Sequence, residues 1–172
     1  VELGIIRNHY VGRTFIEPTQ QIRSFGVKLK HNVNKSLIKN KSLILIDDSL
    51  VRGTTSVKII KMLYECGAKE VHLRIASPPI KYPDYYGVDT PNKKELLAAK
   101  FDLEGMRKFI NAKTLKFLSI EGLYKSMGYE KRNSSYPQFT DHCFTGEYPI
   151  KPIDANDENL DKNQLSYMSS KS

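Results

Sequence analysis

Two adjacent carboxylates, Asp47 and Asp48, end a run of four aliphatic residues, Leu43-Ile44-Leu45-Ile46, and lead directly into Ser49-Leu50-Val51-Arg52-Gly53-Thr54-Thr55. Two acids side by side repel one another unless a cation or a hydrogen-bond donor sits between them. Sugar hydroxyls meet that need, and so does a hydrated Mg²⁺, which takes one or two carboxylates together with substrate oxygens. On the other side of the turn, Gly53 lets backbone N–H groups approach a phosphate, and the Thr54 and Thr55 hydroxyls stand beside them. A helix beginning there adds the positive end of its dipole. The chemistry of this stretch is therefore that of a sugar-phosphate pocket. A lone Asp-Asp pair is more often a solvated strand end, and a lone Thr a helix cap; it is the whole run from Leu43 to Thr55 that points to a ligand.

The elements that must hold these residues can be read from periodicity. The continuous run Leu43 to Ile46 predicts a strand buried on both faces of a parallel sheet. Its C-terminal tip then lies on the edge where open α/β sheets bind ligands. A helix is expected from Thr54 or Thr55, with Val57, Ile60, Leu63 and Tyr64 on one face and Gly67 ending it. Val71 to Ala76 is the next strand, so a right-handed parallel crossover is expected. Further on, Thr90-Pro91 reads as a helix start leading into Lys93 to Lys100, and Asp102 as the cap of a helix reaching Ile110. Leu115 to Leu118 is a fourth apolar run, followed by a helix over Ile120 to Met127 capped by Ser119 and ended by Gly128. Glu2 to Asn8 opens as a short strand. Tyr10 to about Asn40 shows no sustained period, and reads as a long basic loop with a short helical or extended piece around Gln20 to Lys30. A loop of that length is usually functional.

The composition places these elements in one domain of ordinary size plus a tail: 172 residues, 40% of them hydrophobic. No apolar run approaches the roughly 18 residues that span a bilayer, and no signal peptide opens the chain. A cytoplasmic protein is expected. Because the first residue is Val1 and a strand-like segment follows at once, an upstream portion is expected to precede it. Cys66 and Cys143 are far apart without paired spacing, as expected of two reduced thiols. The formal charge is +8, and the segment Arg7 to Lys41 holds eight Lys or Arg against the single acid Glu17. Such a patch attracts a polyanion, whether nucleic acid or small phosphate.

Asp47 to Thr55 resembles the phosphoribosyl pyrophosphate signature of the type I phosphoribosyltransferases, in the form used by the amidophosphoribosyltransferases. Three other segments carry the same resemblance: Arg7 to Ile16, Tyr85 to Pro91, and Cys143 to Pro149. It covers Val1 to about Asp154. The resemblance implies an incomplete type I phosphoribosyltransferase fold, an α/β parallel sheet with flanking helices. Residues 1–153 would be the partial transferase domain, with a flexible loop at 10–40 and the phosphoribosyl pyrophosphate loop at 43–55, and 154–172 a disordered tail. It implies that Asp47 and Asp48 hold the ribose 2′- and 3′-hydroxyls, with Mg²⁺ at or near them, and that Ser49 and the turn Arg52, Gly53, Thr54 and Thr55 cradle the 5′-phosphate. The basic loop would close over the substrate, with Arg7, Arg13 and Lys28 as leading catalytic candidates, Arg23 and Lys30 behind them, and Tyr10 on an internal ammonia path.

The implied activity is the formation of 5-phosphoribosylamine from phosphoribosyl pyrophosphate and glutamine-derived ammonia, the entry step of purine synthesis. The family's N-terminal glutaminase domain and upstream transferase strands are absent from the sequence, so a separate chain carrying them is an expected partner. A homo-oligomer is compatible with the resemblance, and no membrane partner is expected. Nucleic acid is disfavoured by the lack of a helix-turn-helix pattern. Some members hold a [4Fe–4S] cluster, whose cysteine positions in this half fall near Asp84, Thr140 and Cys143. One thiolate cannot hold a cubane, so no cluster is expected and Cys143 reads as a leftover thiol in a turn. The alternatives are a non-catalytic phosphoribosyl pyrophosphate-binding regulator and an inactive remnant.

Overall fold

The computed structural model describes residues 2, 4–7, 31–88, 90 and 92–150. Strand β1 (Ile5–Arg7) pairs antiparallel with β2 (His31–Val33), placing Ile5 opposite Val33 and Arg7 opposite His31. The chain entering residues 8–30 and the chain leaving them are thus clipped together. A single turn of helix, α1 (Lys35–Ile38), follows, with Ile38 buried. The sequence expectation of one irregular loop reaching Asn40 is corrected here. β2 is too short and polar to show a period of its own, and it exists because β1 supplies its hydrogen-bond partners.

The main sheet has three parallel strands in the order β3 (Ser42–Asp47), β4 (Glu70–Ile75), β5 (Thr114–Phe117). Between β3 and β4 runs α2 (Thr54–Glu65), and Gly67 leaves it at φ +90°. After β4 come a 3-10 turn (Lys93–Glu95), the short α3 (Leu97–Lys100) and α4 (Leu103–Ile110). α5 (Ile120–Ser126) and α6 (His142–Thr145) follow β5.

One face of the sheet is covered. Leu45, Leu73 and Leu115 stand in register across the three strands. Leu73 and Leu115 belong to a core that also takes Ile60 and Leu63 from α2 and Met106 and Ile110 from α4. Each such side chain taken fully out of water contributes about 1.5–3 kcal/mol. On the opposite face the register runs Ile44–His72–Thr114 and Ile46–Arg74–Lys116. There Ile44 is 68% exposed and Ile46 72%. The expectation that β3 is buried on both faces therefore fails: it is an edge strand of the described sheet, with one open face. An unbroken aliphatic run records that both faces are apolar, not that both are covered within this stretch of chain.

Helix boundaries follow local capping. Asp102 Oδ1 accepts from Gly105 N at 2.7 Å and Ser119 Oγ from Gly122 N at 2.9 Å, the two caps the sequence predicts. Asp102→Ala should cost about 1 kcal/mol, read as a lowered midpoint in urea unfolding with an unchanged slope. At the third expected start the reading is corrected. Thr90 caps nothing: its Oγ1 accepts from Asp84 N at 2.6 Å, across a turn. Pro91 lies outside the described residues, and the segment that follows is a 3-10 turn and a separate short helix.

Candidate functional site

β3 ends at Asp47 and α2 begins at Thr54 after six intervening residues, so the acids and the helix N-terminus share one end of the sheet. The connection is held from below. Leu50 is 2% exposed, the Val51 carbonyl accepts from Leu97 N at 2.8 Å, and Gly53 is buried. Gly53 has φ +77°, the left-handed region. A Cβ there would meet Leu97 Cδ2 at 2.9 Å and Phe109 Cε1 at 3.2 Å. The glycine is thus required by backbone handedness and by the Leu97 and Phe109 side chains packed against it, a reason distinct from the phosphate approach inferred from sequence. Gly53→Ala should cost about 2–4 kcal/mol from left-handed strain and overpacking together. Thermal unfolding checks this, with a smaller loss expected when Leu97→Ala makes room.

α2 starts with its donors unspent. Its first intrahelical bond runs from Val57 N to the Gly53 carbonyl at 2.9 Å, so the N–H groups of Thr54, Thr55 and Ser56 have no intrahelical acceptor. No acidic residue occupies the first turn to offset the positive end of the dipole. The Thr54 and Thr55 side chains are exposed beside these groups.

The acids face the same end. Asp47 Oδ1 accepts from Asp48 N at 3.1 Å, which turns the backbone back on the strand tip. Asp48 is exposed, and its Oδ1 accepts from Ser49 Oγ at 2.9 Å. Arg52 is turned aside: its Nε donates to Glu95 Oε2 at 2.7 Å, in an ion pair about half exposed on both partners. The structure thus brings Asp47, Asp48, Ser49, Gly53, Thr54 and Thr55 to one end of the sheet, while the Arg52 guanidinium is engaged with Glu95. Tyr10, Arg13, Arg23, Lys28 and Lys30 lie outside the described residues, as does the side chain of Arg7, whose backbone closes β1.

A second cluster was half-visible in sequence. Asp84 and Cys143 do meet, with Cys143 Sγ 3.9 Å from Asp84 Oδ2. Between them stands His142, whose Nε2 lies 2.7 Å from the same oxygen. Cys143 is in α6 and partly buried, not in a turn, while Thr140 is exposed. Burial, with the adjoining Asp84 carboxylate, pushes the Cys143 thiol up to about 11. Asp84 is held below the usual carboxylate range: burial opposes this, but the Val88 and Tyr86 N–H groups and His142 outweigh it. His142 was missed because a single His in a polar loop carries no signal until the fold places it beside Asp84.

No family model matches the chain. The amidophosphoribosyltransferase of Rhizobium etli is 59% identical over 170 residues, which is 98% of this chain and 34% of that protein. That of Bacillus subtilis is 49% identical over 150 residues, covering 87% of this chain and 31% of its own length. A solved structure, the Bacillus subtilis glutamine phosphoribosylpyrophosphate amidotransferase complexed with ADP and GMP, superposes with a TM-score of 0.72 at 49% identity, covering 86% of this chain and 32% of that one. The chain belongs to the amidophosphoribosyltransferase family. It corresponds to the C-terminal part of these relatives and spans about a third of their length. The parallel sheet with flanking helices is the arrangement it shares with the amidotransferase structure. Some members of the family hold a [4Fe–4S] cluster; this chain has two cysteines, Cys66 and Cys143, in different surroundings, and that donor set does not fit a cubane. Among the described residues no helix is long and apolar enough to cross a membrane.

Proposed function

We propose that this chain carries the phosphoribosyl pyrophosphate site of an amidophosphoribosyltransferase, completed by a polypeptide equivalent to the upstream two-thirds of the relatives. The reaction joins glutamine-derived ammonia to the anomeric carbon, expels pyrophosphate and yields 5-phosphoribosylamine, the first step of purine synthesis. The observation that carries this reading is the hand-over at one end of the sheet. Two acids on a strand tip lead through a left-handed, buried glycine into a twelve-residue helix whose first N–H groups are unspent.

In this reading the amides of Thr54, Thr55 and Ser56 and the Thr54 and Thr55 hydroxyls bind the 5′-phosphate, with Ser49 and the Arg52 backbone beside them. Asp47 and Asp48 accept from the ribose 2′- and 3′-hydroxyls, which orients the anomeric carbon. Their hard oxygen donors at an exposed strand end also fit Mg²⁺, which would be held by Asp47 and Asp48 and would supply countercharge to pyrophosphate oxygens. The charges of Arg7, Arg13 and Lys28 attend the departing pyrophosphate, and Tyr10 lines the ammonia path. The basic loop closes over the substrate and excludes water while the anomeric carbon reacts, and the pairing of β1 with β2 supports this by bringing the chain on either side of residues 8–30 together. The exposed Ile44 and Ile46 support the partner, since an added layer would cover them. A cytoplasmic location goes with this reading.

The experiment is complementation. This chain, mixed with the upstream two-thirds of the Rhizobium etli protein, should form a complex that binds phosphoribosyl pyrophosphate only with Mg²⁺ and produces 5-phosphoribosylamine from glutamine. A complex that forms and fails to bind the sugar phosphate would remove the site assignment. Failure to associate would remove the partner.

A further inference from the structure

Away from the sheet end, Asp84, His142 and Cys143 each offer one metal-ligating atom, and these atoms lie within 4.8 Å of one another. We propose that they form a mononuclear site for a borderline divalent cation such as Zn²⁺, tying the turn that follows β4 to α6. The inference is independent of the sugar-phosphate reading and differs from an iron–sulfur cluster in nuclearity and in donors.

The carboxylate is aimed before any ion arrives. Asp84 Oδ1 accepts from Tyr86 N at 2.8 Å and from Val88 N at 3.0 Å, which fixes the plane of the group. Oδ2 is left facing His142 Nε2 and Cys143 Sγ. Hydrogen bonding of this kind to a ligand's second atom is what holds metal ligands in register. The His142 and Asp84 side chains are 4% and 6% exposed. Tyr86 and Tyr148 wall the site, with ring centroids each 5.0 Å from that of His142.

The proton count also fits. Oδ2 is the shared acceptor for two hydrogens, one on the imidazole and one on the thiol. A dication at their meeting point replaces both. His142 Nδ1 is buried and has no hydrogen-bond partner among the described residues. As Nε2 binds the ion the ring proton moves to Nδ1, at the cost of a buried donor left without an acceptor, while the thiol proton leaves to solvent. Carboxylate and thiolate then balance the dication in a buried setting. Four-coordinate zinc places its N, O and S donors roughly 3.3–3.6 Å apart. The 2.7 Å edge from Oδ2 to Nε2 must open by roughly 0.6 Å, and the 3.9 Å edge from Oδ2 to Sγ must close by a few tenths. Both are within side-chain adjustment. The nitrogen and sulfur donors select Zn²⁺ or Co²⁺ over Mg²⁺, and the fourth position is left for water.

The test is titration of the tag-free chain with Co²⁺ and then Zn²⁺. One Co²⁺ per chain is expected, with the visible bands of four-coordinate cobalt and a near-ultraviolet thiolate charge-transfer band, both lost when Zn²⁺ displaces it. Cys143→Ser should abolish the charge-transfer band. Asp84→Asn, which keeps an oxygen for the Tyr86 and Val88 N–H groups, should weaken Zn²⁺ binding at least tenfold with an unchanged far-ultraviolet spectrum. Absence of stoichiometric uptake by the intact chain would overturn the proposal. So would uptake that survives both substitutions undiminished.

Discussion

Phosphoribosyl pyrophosphate binding should fall at least roughly 100-fold when Asp47→Asn and Asp48→Asn are combined in the complemented complex. Each carboxylate that accepts a sugar hydroxyl contributes about 1.5–3 kcal/mol as a charged partner, and two such losses correspond to roughly two to four decades in affinity. Asparagine keeps the size and one acceptor oxygen, so the backbone turn that Asp47 Oδ1 makes with Asp48 N can persist. The fold should be nearly unaffected, because Asp48 is exposed and Asp47 only partly covered at the end of β3. Calorimetry with and without Mg²⁺ reads the result. A double variant within threefold of the parent would show that the acids do not hold the ribose.

The second large effect is on stability and centres on Asp141, which is 4% exposed. Its carboxylate accepts from Arg132 Nε at 2.5 Å and Nη2 at 3.1 Å, from Tyr124 Oη at 2.8 Å and from Thr145 Oγ1 at 3.1 Å. Arg132 also reaches Glu147 at 2.6 Å. These bonds tie α5, the following loop and α6 into one unit. Arg132→Leu leaves a buried carboxylate without its cation, a loss of about 3–5 kcal/mol. For a chain of this size that lowers Tm on the order of 10 °C. Adding Asp141→Asn to Arg132→Leu should recover part of it, since the buried charge goes with its partner. A Tm within about 2 °C of the parent for Arg132→Leu alone would mean the pair is not buried in solution.

The same group sets an acid limit. Burial alone would raise the Asp141 pKa, but the Arg132 and Tyr124 hydrogen bonds and the Arg132 charge outweigh it and hold the carboxyl below its ordinary value. A depressed folded-state pKa contributes stability that is fully present above the unfolded value of about 3.9 and is lost as pH falls through the folded one. Unfolding midpoints should therefore decline below about pH 4 and be flat in this respect above it. The Arg132→Leu/Asp141→Asn pair should lack that component of the decline.

How much of this was legible beforehand depended on whether the cause was local. The tip Asp47-Asp48, the start of α2 at Thr54, and the Asp102 and Ser119 caps rest on bonds within a few residues, and reading along the chain finds them. Thr90 shows the limit. Thr-Pro has the form of a helix start, but the hydroxyl found an acceptor role toward Asp84 N instead, a choice made by the turn around it. Gly53 was identified as a turn glycine from sequence, while its contacts with Leu97 and Phe109 come from residues 44 and 56 positions further on and leave no mark on the local pattern.

By itself the sequence determined the chemistry available at one strand end, because acids, glycine and threonines are adjacent in the chain and a strand followed by a helix must bring them together. It also determined the family, through motifs that need no folding to be seen. Tertiary structure alone decided three things: that β3 has an open apolar face, that Arg52 spends its charge on Glu95, and that His142 joins Asp84 and Cys143. Each depends on contacts between segments far apart in sequence. Whether an aliphatic side chain is covered, or a charge paired, is set by what packs opposite it, and no property of the residue or its neighbours encodes that.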